Sequence, residues 1–225
     1  MVRAIAFDLD DTLLDTSGIL VPQASSLSFQ ILIDAGLNMT LEECQNRRVK
    51  LIKSISHKDV FLKLATEHGT SETLNALNKA IAAFYEPHIP NALPLLPGAR
   101  ENLDYLKSKY KLYLVTAGAE KTQRSKAKAL GVENYFDQIF VTNSLIKQRK
   151  ADTFREIIHI NQIQTTELLC IGNSLLSEIH DALEIGAKAC YFEFGEERGL
   201  ISTEKNKQPH YHIRSHHELI STCHL

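Results

Sequence analysis

Hydrophobic and polar positions follow three different rhythms along this chain. Residues 2–7 read Val-Arg-Ala-Ile-Ala-Phe, a short apolar run of the kind that forms a buried parallel strand. It gives way at once to Asp8-Leu9-Asp10-Asp11-Thr12. From Thr16 to about Pro90 the rhythm becomes helical, with four patterns in succession and no convincing strand. The first covers residues 23–35 and stops at Gly36, a C-cap signal. The second follows Thr40, where Thr40-Leu41-Glu42-Glu43 reads as a capping box, and runs to about Ser54. The third spans 57–68 and ends at Gly69. The fourth starts after Ser71 and carries Leu74, Leu77, Ile81 and Phe84 at helical spacing. Pro87, Pro90, Pro94 and Pro97 then interrupt regular structure.

Beyond Gly98 helix and strand alternate. Helical patterns cover 99–109, 120–130, 151–160 and 175–185, with Gly131 and Gly186 closing the second and fourth. Strand patterns cover 111–116, 138–141, 168–171 and 189–192, with 211–213 as a last short strand and Ser215 as the cap of a last helix. The class predicted is α/β: a mostly parallel sheet with helices on both faces. The helical stretch 16–90 reads as an inserted domain, and 1–15 with 91–225 as the main one.

Composition changes this picture little. The 225 residues are 44% hydrophobic and 23% charged, with net charge −2 and a pI of about 6.6, so neither a nucleic-acid footprint nor a polybasic membrane patch is expected. The opening residues read as strand rather than signal peptide, and no apolar run approaches membrane-span length. Cys44, Cys170, Cys190 and Cys223 are scattered, which predicts a reduced, cytoplasmic protein with no membrane partner.

The candidate chemistry lies at strand ends. Asp8 and Asp10 leave the first strand two residues apart, on one side while the backbone stays extended. Two anions so close call for a cation, most simply Mg²⁺. The plainer alternative is a solvated acidic turn. Thr116-Ala117-Gly118 ends the next strand, where a hydroxyl and free amides suit an anion such as phosphate. Lys150 stands just ahead of a helix, against the dipole, a placement that a bound anion would relieve. With Lys147 and Arg149 beside it, a solvated surface charge is the alternative. After strand 168–171 comes Gly172-Asn173-Ser174-Leu175-Leu176-Ser177-Glu178. Asn173 and Glu178 offer oxygen ligands, though Asn173 or Ser174 could simply cap the next helix.

Together these four stretches resemble the haloacid dehalogenase-like hydrolase superfamily. The first matches its DxDxT pattern, Thr116 its second motif, Lys150 its third, and Gly172-Asn173-Ser174 through Ser177-Glu178 its fourth. The resemblance implies a Rossmann-like core with a helical cap inserted at 16–90. It implies a Mg²⁺-dependent phosphatase acting on a small phosphorylated metabolite through an aspartyl-phosphate. Asp8 would be the nucleophile and Asp10 the general acid and base. Thr116, Ala117, Gly118 and Lys150 would bind the phosphoryl group, and Asp8, Asp10, Asn173 and Glu178 would hold the metal. Many relatives carry Asp at the positions of Asn173 and Glu178, so this chain has one charge fewer there. The resemblance also leaves open a sugar phosphomutase, a phosphonate hydrolase, or a binding protein that kept the fold. Two weaker signals read as structural. The insert's Arg47, Lys50 and Ser54 share a helical face that reads as solvated, among the cations Arg48, Lys53 and Lys58. His210, His212, His216, His217 and His224 match no metal-ligand spacing.

Overall fold

The computed structural model describes residues 1–143, 146 and 148–225, with Asn206 through its backbone alone. Lys147 lies outside the described residues. The chain divides into two compact units, Met1–Asp15 with Ile89–Leu225, and Thr16–His88. The first apolar run forms β1 (Ala4–Phe7), buried at all four residues.

The Thr16–His88 unit is helical throughout. A short α1 (Thr16–Ile19), not anticipated from periodicity, is followed by α2 (Val21–Asp34), α3 (Leu41–Leu51), α4 (His57–His68) and α5 (Ser71–Tyr85). The predicted capping box forms: Thr40 accepts from the Glu43 amide while Glu43 accepts from the Thr40 amide. The α5 cap is Thr70. Phe61 joins α4 to its neighbours, edge-on to Phe29 of α2 at 5.0 Å and to Phe84 of α5 at 5.4 Å between ring centres. On α3 the buried cation is Arg48, which donates to Gln45 Oε1 at 3.0 Å, while Arg47 is exposed, 3.8 Å from Glu67.

The other unit alternates. After α6 (Ala99–Lys107) come β2 (Lys111–Ala117), α7 (Glu120–Leu130), β3 (Gln138–Thr142), α8 (Lys150–Asn161), β4 (Leu168–Gly172), α9 (Glu178–Glu184), β5 (Lys188–Phe192), β6 (Tyr211–Ile213) and α10 (His216–Cys223). The six strands form one parallel sheet in the order β3-β2-β1-β4-β5-β6. Phe7 of β1 is in register with Leu114 of β2 and Ile171 of β4. The chain builds outward from β1 through β3, then resumes at β4 on the other side. Such a reversal opens a crevice beyond the carboxyl ends of the strands that flank it.

Alternation along β1 explains how the sheet is covered. Ala4 and Ala6 face a core shared with Phe154 and Ile157 of α8 and Ile179 and Ala182 of α9. Ile5 and Phe7 point the opposite way and are as deeply buried, so both faces are covered. Among the described residues no helix is long and apolar enough to cross a membrane.

His216 braces the loop that follows β1. Its buried ring donates from Nε2 to the Thr12 carbonyl at 2.7 Å, and Asn102 Nδ2 donates to the His216 carbonyl at 2.6 Å. Burial holds the imidazole below its ordinary pKa, against the bond to Thr12. The unfolded chain therefore takes up a proton here first as pH falls below about 6.5. Stability is expected to drop from that point by up to about 1.4 kcal/mol per pH unit for this one proton. Denaturant midpoints at about pH 7.5 and about 5.5 check this, with His216→Gln expected to show the smaller drop.

Candidate active site

The backbone carries β1 one residue further than its named strand. The Asp8 amide donates to the Ile171 carbonyl at 2.9 Å, which fixes Asp8 at the sheet's carboxyl edge. Its carboxylate is buried and meets Lys150, whose Nζ donates to Asp8 Oδ1 at 2.7 Å and to Glu178 Oε2 at 2.9 Å. Lys150 is only 3% exposed, so the ammonium has given up its water for two carboxylates.

Neighbouring elements aim Lys150. It is the first residue of α8, and the helix start is held by Asp181 of α9. Asp181 Oδ2 accepts from the Ala151 amide at 3.0 Å, and Oδ1 accepts from Arg149 at 2.5 Å. Arg149 also pairs with Glu184 at 2.7 Å. The sequence placed Lys150 against a helix dipole without a partner. The structure supplies two, by turning the side chain inward.

Burial is the largest influence on Asp8 and pushes its pKa up to about 7, against the pull of Lys150 and with help from Glu178 and Asp10. Burial also works against the Lys150 ammonium, but Asp8 and Glu178 outweigh it and hold the amine above its ordinary value. A buried pair of this kind is poor evidence for stability and good evidence for a functional site.

The turn after β4 is shaped around Glu178. A Cβ at Gly172 would lie 2.4 Å from Glu178 Cγ, so only glycine lets that side chain fold back beneath the strand end. Glu178 Oε1 then accepts from the Ser174 amide at 2.6 Å, while Oε2 holds Lys150. Each Glu178 oxygen thus has a donor within the chain. Neither Asn173 nor Ser174 caps α9, which begins only at Glu178. Residues 174–177 form a turn, pinned by the Leu175 amide on the Arg198 carbonyl at 2.9 Å. Asn173 Nδ2 donates to the Phe194 carbonyl at 3.2 Å, which orients its amide oxygen as the atom left for a ligand.

At the end of β2, Thr116 is buried and its Oγ1 accepts from Gln123 Nε2 at 2.6 Å. The Gly118 amide donates to the Thr142 carbonyl at 2.9 Å, so the free amide expected there is already paired. Gln123 also donates to Asp10 Oδ2 at 2.7 Å, and Lys126 Nζ meets Asp10 Oδ1 at 2.7 Å. Neither Gln123 nor Lys126 stood out in the sequence. A signal was there: both sit on the buried stripe of α7 with Ala127 and Leu130, where apolar residues belong.

Among the described residues no group of three or more His, Cys, Asp or Glu has the geometry to hold a metal. A metal here would draw on the hard oxygens of the expected set: the Asp8 carboxylate, Asp10, the Asn173 amide oxygen and Glu178, whose oxygens also accept from Lys150 and the Ser174 amide. Water completes such sets readily for Mg²⁺, so oxygen donors of this chemistry suit that ion.

A family model described as haloacid dehalogenase-like hydrolase matches residues 5–192. Glyceraldehyde 3-phosphate phosphatase of Pyrococcus abyssi is 26% identical over 203 residues, spanning 87% of this chain and 83% of that protein. N-acylneuraminate-9-phosphatase of Homo sapiens is 27% identical over 232 residues, spanning 97% and 92%. Among solved structures, a predicted phosphoglycolate phosphatase from Haemophilus somnus superposes with a TM-score of 0.75 at 16% identity, covering 98% of this chain and 97% of that one. A HAD-hydrolase from Bacillus subtilis bound to magnesium gives 0.68 at 23% identity with the same coverage. At such identities these structures share the fold.

Proposed function

The chain belongs to the haloacid dehalogenase-like hydrolases, and on that premise we propose that it is a Mg²⁺-dependent phosphatase cleaving a small phosphorylated metabolite through an aspartyl-phosphate. The observation that carries this reading is the pairing of Asp8 with Lys150, 2.7 Å apart and both shielded from water at a strand end. Relatives named as glyceraldehyde 3-phosphate phosphatase and N-acylneuraminate-9-phosphatase support a phosphate monoester as substrate.

Lys150 holds Asp8 Oδ1, so Oδ2 is the oxygen presented to phosphorus. The ester P–O bond breaks, and the departing oxygen takes its proton from the Asp10 carboxyl. Asp10 then accepts a proton from the water that hydrolyses the aspartyl-phosphate. Lys150 neutralises charge on the transferring group. Thr116 accepts from Gln123 and so keeps its own hydroxyl hydrogen for a phosphoryl oxygen. Glu178 acts on Lys150, fixing where the ammonium sits. Mg²⁺, when bound, would offset the repulsion between Asp8 and the incoming phosphoryl oxygens.

A panel of phosphate monoesters, assayed with Mg²⁺ and with a chelator, tests the reading. Turnover of some monoesters is expected, falling at least about 100-fold with the chelator. Failure on every ester, or full activity in the chelator, would remove the proposal.

A further inference from the structure

We infer that Gln123 and Lys126 of α7 are positioning residues for Asp10, fixing its carboxylate towards the leaving group and tying it to the Thr116 hydroxyl. The inference rests on the phosphatase reading above, which gives Asp10 its acid–base role. Each Asp10 oxygen has its own donor on α7: Oδ2 accepts from Gln123 Nε2 at 2.7 Å and Oδ1 from Lys126 Nζ at 2.7 Å. The Lys126 side chain is 9% exposed and that of Asp10 30%. An ammonium gives up hydration of that order only where a partner replaces it, and here the partner is the proposed acid–base carboxylate.

Gln123 makes the second connection. Its Nε2 lies 2.7 Å from Asp10 Oδ2, 2.6 Å from Thr116 Oγ1 and 3.0 Å from the Ala117 carbonyl. One amide thus bridges the loop after β1 to the end of β2. A Cβ on Gly118 would stand 3.3 Å from Gln123, so the glycine keeps that bridge uncrowded. Asp10 lies on the loop that follows β1, beyond the strand end. A misplacement of about 1 Å in a reacting group costs on the order of 100-fold in rate. The α7 pair holds both Asp10 oxygens from one side, and Gln123 ties them to the Thr116 hydroxyl.

The test uses two esters that differ in their need for a proton. An alkyl phosphate expels an alkoxide that must be protonated, whereas 2,4-dinitrophenyl phosphate expels a stable phenolate. Single-turnover rates are measured for the parent, Asp10→Asn, Lys126→Met, Lys126→Arg and Gln123→Met. Lys126→Met is expected to slow the alkyl ester about 100-fold and the dinitrophenyl ester only a few-fold, a ratio shared with Asp10→Asn. Lys126→Arg should restore most of the loss, and Gln123→Met should show the same selectivity in weaker form. In the Asp10→Asn background, Lys126→Met should add no further loss. Equal losses on both esters, or a full additional loss in that background, would make Lys126 a structural residue and overturn the inference. If Asp10→Asn itself slows both esters alike, the acid role of Asp10 falls and the inference with it, while Asp8 as nucleophile stands. Should Lys126→Met melt too low to assay, Gln123→Met carries the same comparison.

Discussion

Asp8→Asn is expected to abolish phosphate-ester hydrolysis, lowering kcat by at least about 10⁴-fold, while the protein stays folded. The amide keeps the shape of the carboxylate and can still accept from Lys150, but it cannot attack phosphorus. Its effect on stability separates loss of chemistry from loss of fold. Burial raises the Asp8 pKa to about 7, so an ionised Asp8 costs the folded state. That cost is absent below its unfolded value of 3.8 and complete above the folded one. The amide that replaces it carries no charge at any pH. The variant should therefore melt at or above the temperature of the parent at about pH 8, a site that gives up stability for activity. Substantial residual turnover, with the fold intact, would place the nucleophile elsewhere.

Lys150→Met has the second largest expected effect and the opposite sign on stability. It leaves Asp8 and Glu178, both nearly buried, without the ammonium that each contacts within 3 Å. Removing one partner of a buried ion pair costs about 3–5 kcal/mol. The chemical step loses its fixed positive charge, about 10²–10³-fold in kcat. The stability deficit should narrow as pH falls, because Asp8, pushed up by burial and deprived of the pull of Lys150 in the variant, binds a proton in the folded state before the unfolded chain does. Thermal melts of parent and variant at about pH 8 and about pH 5 measure this directly. A deficit independent of pH would mean that Lys150 contributes packing rather than charge.

What the sequence revealed, and what it hid, follows from the range of the interactions involved. The apolar run ending at Asp8 needed no tertiary information, because a strand buried on both faces is apolar at every position. The helix caps at Thr40 and Gly131 were equally local. The start of α9 was not. Periodicity carried that helix back to Leu175, but the Leu175 amide pairs with Arg198, a residue far along the chain, and the helix waits until Glu178.

The same limit governs the site. Asp8, Thr116 and Lys150 could be picked out as chemistry at strand and helix ends. That Lys150 joins Asp8 to Glu178 depends on three elements meeting, and no single window of sequence contains that. Gln123 and Lys126 lay in between. Their positions on the buried stripe of α7 were readable, but a lysine among several in one helix looks like solvated charge until its partner is seen.

The central claim is that phosphoryl transfer passes through Asp8. The most direct measurement is to mix the Asp10→Asn variant, in which the second step should be slowed, with 2,4-dinitrophenyl phosphate and Mg²⁺. The reaction is quenched in acid within the first turnover, and the peptide containing Asp8 is analysed by mass spectrometry. The account predicts a phosphoryl group on Asp8, formed together with the burst of dinitrophenolate and absent from Asp8→Asn. A burst with the phosphoryl group on another residue, or turnover with no phosphorylated peptide at any quench time, would contradict it.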